Sequence, residues 1–174
     1  MIGAGSGGLS VAAAAAAFGV SVVLVEKGRM GGDCLNTGCV PSKALIASAR
    51  RAQAMRDAAP FGIAAVDPQV NFRKVHDHVH DVIDAIAPTD SAERFRAMGV
   101  VVIEAAARFE DPATVIAGDT RIEARRFVVA TGSKPSIPPI PGLDEVAYRT
   151  NETVFDITRK PAHLIVIGRG PIGL

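Results

Sequence analysis

Residues 1–26 have the sequence MIGAGSGGLSVAAAAAAFGVSVVLVE, and this stretch predicts the fold. Residues from about Gly7 to Phe18 are helix formers, and Gly19 is typical of a residue that ends a helix. The run Val20–Val25 is β-branched and apolar, as buried parallel strands are. With Met1-Ile2 as a preceding strand, these segments form a βαβ unit. They indicate an α/β, Rossmann-like, doubly wound domain.

Three glycines of this stretch, Gly3, Gly5 and Gly8, fit the dinucleotide-binding pattern G-x-G-x-x-G. The first allows a tight turn, the second lets the backbone approach a pyrophosphate, and the third lets the helix pack closely on the strand. The pyrophosphate would lie at the N-terminus of the helix. Glu26 follows eighteen residues after Gly8, where an acid that accepts the ribose hydroxyls is expected. The alternative is a glycine-rich turn followed by an ordinary surface glutamate.

A pair of cysteines, Cys34 and Cys39, lies in the segment GGDCLNTGCVPSK at residues 31–43. If a helix begins near Cys39, its macrodipole stabilises a thiolate there and favours a reactive thiol. Gly38 gives the backbone the freedom to bring the cysteines within the Cα separation of about 7 Å that a disulfide requires. Three alternatives remain open. They are a structural disulfide, a zinc site that would lack a second cysteine pair, and two unrelated core cysteines.

The chain beyond the cysteines alternates helical and β-like patterns. Helices are predicted at Cys39–Ala58 and Asn71–Ala87, followed by a short helix to Met98 that opens with a capping box of Asp90 and Glu93. The predicted β-runs are Gly99–Ile103, Ala107–Phe109, Thr114–Ala117, Arg121–Ala130 and His163–Ile167. The middle runs predict a small β-meander. A second glycine pattern follows the last run and predicts the start of a second Rossmann domain, at Gly168, Gly170 and Gly173.

The composition is that of a globular protein and excludes some classes of function. The 174 residues carry a net charge of +1, which provides no electrostatic surface for nucleic acid. Residues 9–25 are uncharged, but six weakly apolar alanines and Gly19 argue against a membrane span. The basic start of a secretory signal is missing, so we expect a cytoplasmic protein whose cysteine pair is catalytic or metal-binding.

Three histidines, His76, His78 and His80, lie on the helix predicted at Asn71–Ala87. His76 and His80 would share a helix face and offer two metal ligands. The periodicity favours a solvated polar face instead, opposite a buried stripe of Val75, Val79, Val82, Ile83 and Ile86. We therefore predict no metal site.

The glycine motif, Glu26 and the cysteine segment together resemble the class I pyridine nucleotide-disulfide oxidoreductases. That family includes mercuric reductase, dihydrolipoamide dehydrogenase and glutathione reductase. The likeness extends over the whole chain, because residues 128–133 resemble the family's second FAD-contacting segment and residues 165–173 resemble the start of its NAD(P)-binding domain. The cysteine segment is more similar to the branch with mercuric reductase and dihydrolipoamide dehydrogenase.

This resemblance implies cofactors and residue roles. The cofactors would be FAD and either NAD or NADP. Cys39 would lie against the flavin as the charge-transfer thiolate, and Cys34 would attack the substrate disulfide. Lys43 would lie near the flavin N5 edge. The further FAD contacts would be made by Ala107, Thr131 and Gly132.

The resemblance also implies that the chain is part of a longer enzyme. Residues 1–160 would be an incomplete FAD-binding domain whose two-residue first strand is truncated, and residues 161–174 would begin the NAD(P)-binding domain. The full-length protein would be a homodimer that acts on a small-molecule disulfide or on mercuric ion. The 174-residue chain alone would be inactive. The alternative is a non-catalytic flavin-binding remnant of a truncated gene.

Overall fold

The computed structural model of the protein describes residues 1–168, 170 and 173. The fold is mixed α/β, as predicted, and the chain separates into two compact units. The first unit contains Met1–Asn36 and Ile83–Lys134, and the second contains residues 37–82 and the chain from Pro135 onward. None of the helices in the described ranges combines the length and hydrophobicity that a membrane crossing requires.

The first unit is built around a parallel sheet. Strand β1 (Val23–Glu26) pairs in parallel with β2 (Val101–Glu104). On the other side of β1, Ile2 forms parallel bridges to both Val25 and Val129. The order across the sheet is therefore β2, β1, Ile2 and Val129, and the short opening segment lies between two longer ones. This arrangement confirms the Rossmann-like architecture that the βαβ pattern predicts.

The core of the first unit joins this sheet to α1 (Ser6–Ala17) and α5 (Ala92–Ala97). Leu24 of β1 and Phe95 of α5 are among its fully buried side chains. Burial of a side chain of this size stabilises the fold by about 1.5–3 kcal/mol. The complete cluster consists of Ala4, Leu9, Ala12, Val22, Leu24, Ala92, Phe95, Val100 and Val102.

Strand β1 begins at Val23 rather than at the predicted Val20. The N–H of Val20 donates to the carbonyl of Ala15 at 3.0 Å, and Gly19 adopts a φ of +71°. These contacts close the C-terminal end of α1. Val20 therefore belongs to the helix terminus, and its side chain is exposed.

Helix α5 is capped by a residue that the sequence pattern did not indicate. The hydroxyl of Ser91 accepts a hydrogen bond from the N–H of Arg94 at 3.2 Å, and Ser91 has the extended backbone of an N-cap residue. The predicted capping box of Asp90 and Glu93 is wrong, because Asp90 belongs to the preceding 3-10 turn, Ala87–Asp90.

The predicted β-meander is a three-stranded antiparallel sheet. Its order is β3 (Ala107–Asp111), β4 (Thr114–Ala117) and β5 (Thr120–Glu123). The run predicted as one strand at Arg121–Ala130 is wrong in its extent. Only its first residues, to Glu123, pair with β4, because β4 has only four residues. Val129, near its end, pairs with Ile2 in the parallel sheet instead. One predicted strand thus contributes to two sheets.

The second unit contains α3 (Cys39–Arg56) and most of α4 (Phe72–Ile86), close to the predicted bounds. Arg56, the last residue of α3, forms an ion pair with Asp67 in the connection to α4, with 2.7 Å between Nε and Oδ1. Both side chains are substantially exposed, so the pair contributes little stability.

The described residues after Pro135 have little regular structure. They contain two 3-10 turns, Leu143–Glu145 and Val154–Asp156. The strand predicted at His163–Ile167 is not formed, and the apolar side chains of residues 164–167 are exposed. A buried parallel strand needs hydrogen-bonding neighbours, and no described segment pairs with this one.

Candidate functional site

The glycine loop, residues 3–8, contains two positions that exclude any side chain. Gly3 has a φ of +102°, and a Cβ built on it would overlap the carbonyl oxygen of Ala130. A Cβ on Gly8 would overlap the carbonyl oxygen of Gly3. Gly3 is therefore required by the turn and by its close neighbour, and Gly8 by the packing of α1 against the loop.

Gly5 has a different environment from these two glycines. It is the N-cap of α1, and a Cβ built on it would have its nearest neighbour 3.7 Å away, at the Cα of Gly32. The next two residues, Ser6 and Gly7, are exposed, and within α1, all of which is described, the first turn has no acidic side chain. The free N–H groups and partial positive charge of such a helix end bind phosphate. The loop is therefore an open cradle that fits a pyrophosphate.

Glu26, the predicted ribose-binding acid, also joins two parts of the backbone. Its Oε2 accepts the N–H of Ala4 at 2.6 Å, and its Oε1 accepts the N–H of Gly28 at 2.7 Å. An ionised carboxylate can accept about four hydrogen bonds, so acceptor capacity remains for ribose hydroxyls. Glu26 thus fixes the loop and is also suited to its predicted role.

The predicted site residues of the first unit meet at one edge of the parallel sheet. Gly3 directly follows Ile2, Glu26 ends β1, and Thr131 follows Ala130, whose N–H donates to the carbonyl of Ile2 at 2.8 Å. These are adjacent parallel positions, so the three residues lie at the carboxyl edge. Ligands of open α/β sheets bind outside this edge.

Thr131, Gly132 and Ala107, the three further predicted FAD contacts, differ in their surroundings. Thr131 and Gly132 are exposed, and Gly132 has a φ of +70°, so the chain turns as it leaves the sheet. Ala107 is the first residue of β3 and pairs with Ala117. It therefore belongs to the meander and not to the parallel sheet.

Cys34 lies on a short helix, α2 (Gly32–Asn36), that the sequence analysis did not predict. Its first residue, Gly32, has a φ of +57°, and a Cβ built there would lie 2.6 Å from the Cα of Gly5. A side chain at position 32 would overlap the backbone of Gly5, so this close approach requires glycine there. The helix that carries Cys34, which is half-buried, is therefore packed directly against the glycine loop.

The position of α2 is secured at both ends. The N–H of Gly31 donates to the carbonyl of Ala4 at 2.9 Å. The side-chain amide of Asn36 donates to the carbonyls of Met30 and Gly32 at 3.0 and 2.8 Å. These bonds hold the cysteine-bearing helix in place in the first unit.

Cys39 is the first residue of α3, with Gly38 as the N-cap, so the predicted helix start is confirmed. Its side chain is exposed. Cys39 therefore lies at the end of an 18-residue helix where the helix macrodipole favours negative charge. Lys43 lies one turn further along α3, on the same face, and is also exposed. Pro41, in the first turn, is buried.

Thr37 stands between the two cysteines in the sequence and has an unusual hydroxyl. Among the described residues, its Oγ1 is the one buried side-chain nitrogen or oxygen atom that has no hydrogen-bond partner. A buried hydroxyl left without a partner costs about 1–3 kcal/mol. Such an atom suggests a partner that only a bound ligand or a water molecule would supply.

Two described glycines of the second motif, Gly168 and Gly173, share local features with Gly3 and Gly8 of the first. Gly168 has a φ of +112°, compared with +102° for Gly3. A Cβ built on Gly173 would overlap the carbonyl oxygen of Gly168, as a Cβ on Gly8 would overlap that of Gly3. Around Gly170, the middle glycine, a Cβ would have no neighbour within 4 Å. The similarity of the two motifs therefore includes the positive φ of the first glycine and the close approach of the third glycine to it.

Metal ligation does not explain the cysteines. In the described ranges, no group of three or more His, Cys, Asp and Glu side chains is arranged to hold a metal ion. A structural zinc site requires about four such ligands. The zinc alternative for Cys34 and Cys39 thus lacks support.

The sequence analysis missed several residues that shape the site. The contact of Gly31 and Gly32 with the loop depends on residues nearly thirty positions earlier, although the paired glycines were a local signal of unusual backbone. The role of Ala130 as the neighbour of Gly3 left no sequence signal. Asn36, a capping-type residue that ends α2, would have been a usable signal for that helix.

Comparison with known proteins gives one family for the whole chain. The profile of the family described as Pyridine nucleotide-disulphide oxidoreductase matches residues 1–174. The chain is 36% identical to mercuric reductase of Streptomyces lividans and 38% identical to dihydrolipoyl dehydrogenase of Haloferax volcanii. Each alignment covers 100% of this chain and 38% of the relative, so the chain spans less than half the length of these relatives.

A solved structure has the same fold. Flavoprotein disulfide reductase RclA from Escherichia coli, in its Cu(II) complex, aligns with a TM-score of 0.73 at 22% sequence identity. The alignment covers 90% of this chain and 33% of that chain. This likeness supports the α/β architecture independently of the sequence motifs.

Proposed function

The chain belongs to the pyridine nucleotide-disulphide oxidoreductase family, and from this membership we propose that it is the FAD-binding part of an enzyme with a Cys34–Cys39 redox pair. The observation that carries the proposal is the contact between Gly5 and Gly32. It fastens the helix that bears Cys34 to the loop suited to a pyrophosphate. A redox cysteine held beside a dinucleotide loop is the arrangement that electron transfer from a flavin requires.

The backbone around the glycine loop supports FAD as the ligand. Gly3 and Gly8 shape the loop, and Gly5 leaves its outer surface open to a pyrophosphate. Glu26 would hold the adenosine ribose through its remaining lone pairs. Thr131 and Gly132 would contact the cofactor at the same sheet edge, and Ala107 would contact the adenine from the meander.

When bound, the flavin would supply two-electron chemistry with a nicotinamide nucleotide, either NAD or NADP. The protein's part is to hold two thiols that share one electron pair. In the reduced pair, the α3 macrodipole would stabilise Cys39 as a thiolate, and the cation of Lys43 one turn away would add to that stabilisation.

Cys34 would carry out the exchange with the substrate. Its thiolate attacks one sulfur of a substrate disulfide, forms a mixed disulfide and releases the first thiolate product. The thiolate of Cys39 then attacks the sulfur of Cys34, which releases the second thiolate and restores the Cys34–Cys39 disulfide. Two electrons pass to the substrate in each cycle.

The substrate class follows from relatives rather than from this chain's own residues. We propose a small-molecule disulfide or mercuric ion, because mercuric reductase and dihydrolipoyl dehydrogenase are among the similar proteins. The second glycine motif, at Gly168, Gly170 and Gly173, would begin the binding site for the nicotinamide nucleotide. A longer, cytoplasmic, homodimeric protein would complete the catalytic site.

The proposal is tested by loading the 174-residue chain with FAD and recording its absorbance during a dithionite titration. We expect a long-wavelength thiolate–flavin absorbance after two electrons are added to the unsubstituted chain. Cys34→Ser should show this absorbance without reductant, and Cys39→Ser should not show it at all. Bound flavin without the long-wavelength absorbance would favour the non-catalytic flavin-binding alternative, absence of bound flavin would overturn the proposal, and equal spectra in the two serine variants would refute the assigned roles.

A further inference from the structure

Strand β2 forms one edge of the parallel sheet in the first unit. β1 pairs with one side of it, and no described strand pairs with the other side. The N–H of Val101 donates to the carbonyl of Val22 at 3.0 Å, so the backbone groups of Val101 face β1. Backbone groups alternate in direction along a strand, and those of Val102 and Glu104 therefore face the free side. A free edge of this kind can pair with a strand of another chain.

The side chain of Arg96 lies across this free side. Its Nη2 donates to the carbonyl oxygen of Val102 at 3.4 Å and to Oε1 of Glu104 at 3.0 Å. The carbonyl of Val102 is one of the groups that an added strand would need, and the guanidinium of Arg96 already binds it. One side chain thus contacts two alternate residues of the edge.

The local structure of α5 holds Arg96 in this position. The neighbouring Phe95 is 1% exposed and anchors the helix in the core. The N–H of Gly99 donates to the carbonyl of Arg96 at 3.0 Å, and the N–H of Val100 donates to that of Phe95 at 3.1 Å. With Gly99 at a φ of +85°, the chain turns directly from α5 into β2, and the strand lies against the helix.

The ion pair of Arg96 and Glu104 contributes little to stability, because its side chains are 46% and 63% exposed. Its place on the edge indicates a different role. Charged side chains protect exposed strand edges from pairing with other chains. The edge of β2 needs such protection, since its sequence, Val-Val-Ile-Glu, is rich in β-branched residues that favour strands.

We propose that Arg96 masks the free edge of β2 and prevents this strand from pairing with β2 of a second copy. A two-fold axis perpendicular to the strands would relate the two identical edges as an antiparallel pair. A pair centred on Val102 would place Glu104 opposite Val100 of the second copy, so the two carboxylates would stay apart. A parallel pair in register would place them opposite each other, which is unfavourable. The proposal does not rest on flavin binding.

The test measures self-association of the 174-residue chain by sedimentation equilibrium, with the thiols alkylated so that intermolecular disulfides do not form. Arg96→Ala should self-associate at least about tenfold more tightly than the unsubstituted chain, because the carbonyl of Val102 becomes available. Arg94→Ala is the matched control. Arg94 lies on the same helix and also donates to a backbone carbonyl, that of Thr89 in the turn before α5. Its loss should leave self-association unchanged.

A double variant separates strand pairing from a loss of stability. Glu104→Pro in the Arg96→Ala chain removes an N–H that faces the free side and spares the bonds to β1, so it should restore the self-association of the unsubstituted chain. In Arg96→Ala, amide hydrogen exchange at Val102 and Glu104 should slow as the protein concentration rises. Unchanged self-association of Arg96→Ala, or self-association that persists in the double variant, would overturn the proposal.

Discussion

The carboxylate of Glu26 accepts the backbone N–H of Ala4, with 2.6 Å between Oε2 and N. The bond joins the end of β1 to the second residue of the glycine loop. The same side chain accepts the N–H of Gly28. A residue expected to bind ribose therefore also determines the shape of the loop to which the ribose's pyrophosphate would bind.

Glu26→Gln should destabilise the protein by about 1–2 kcal/mol, because the amide retains one acceptor oxygen for two backbone donors. The comparison variant is Glu104→Gln. Glu104 is the register partner of Glu26 on β2 and makes an exposed pair with Arg96. Its loss should cost less than about 1 kcal/mol. Urea unfolding curves give both values, and equal losses would show that the backbone bonds of Glu26 contribute nothing specific.

Gly32→Ala should be among the most damaging single-methyl changes in the chain. The new Cβ would lie 2.6 Å from the Cα of Gly5 at a φ of +57°. Gly19→Ala is the matched control, since its φ is +71° and a Cβ there meets nothing within 4 Å. Both variants suffer the left-handed backbone cost of about 1–2 kcal/mol. Gly32→Ala should lose at least about 1 kcal/mol more in urea unfolding, because two backbones must separate. If Gly19→Ala loses as much, the contact between α2 and the loop is not tight.

Thr37→Val should stabilise the chain without ligand by about 1 kcal/mol, because it replaces a buried hydroxyl without a partner by a methyl group of similar size. Thr37→Ser keeps the hydroxyl and loses a methyl, so it should be destabilising. Thermal unfolding measures both changes. A destabilised Thr37→Val would reveal that the hydroxyl is hydrogen-bonded in solution.

Asp111, at the end of β3, should make the stability of the meander depend on pH. The backbone N–H of Ala113 lies 2.7 Å from Oδ1. This bond, the Thr114 side chain and the charge of Arg121 lower the pKa of Asp111 below its ordinary value of 3.8. Because the folded state favours the carboxylate, the stabilisation is present above pH 3.8 and is lost as the pH falls through the lower folded pKa.

Asp111→Asn should therefore be less stable than the unsubstituted chain at neutral pH, with a difference that disappears as the pH falls through the lowered pKa of folded Asp111. Urea unfolding at a series of pH values follows this difference. Asp119→Asn, in the turn after β4, is the control for removing a carboxylate from the same sheet. A difference for Asp111→Asn that stays constant with pH would contradict the assignment.

Local patterns predicted the helices well where the signal was continuous. The alanines of α1, the proline in the first turn of α3 and the apolar spacing of α4 each act within one helix. Short elements were predicted poorly. The helix α2 has five residues, begins with glycine and has little intrinsic stability, so its contacts with the glycine loop are what form it.

Residues 1–26 and 31–43 predicted an α/β fold, which is confirmed, together with a dinucleotide loop and a redox-type cysteine pair, which stay predictions. These features depend on local backbone conformation, and the residue types at each position indicate that conformation directly. Three features depend on tertiary structure instead. Ile2 pairs between Val25 and Val129, Gly32 packs against Gly5, and the strand predicted at His163–Ile167 does not form. Strand pairing and backbone contact join residues that are far apart in the chain, and their energy depends on partners that no local pattern names.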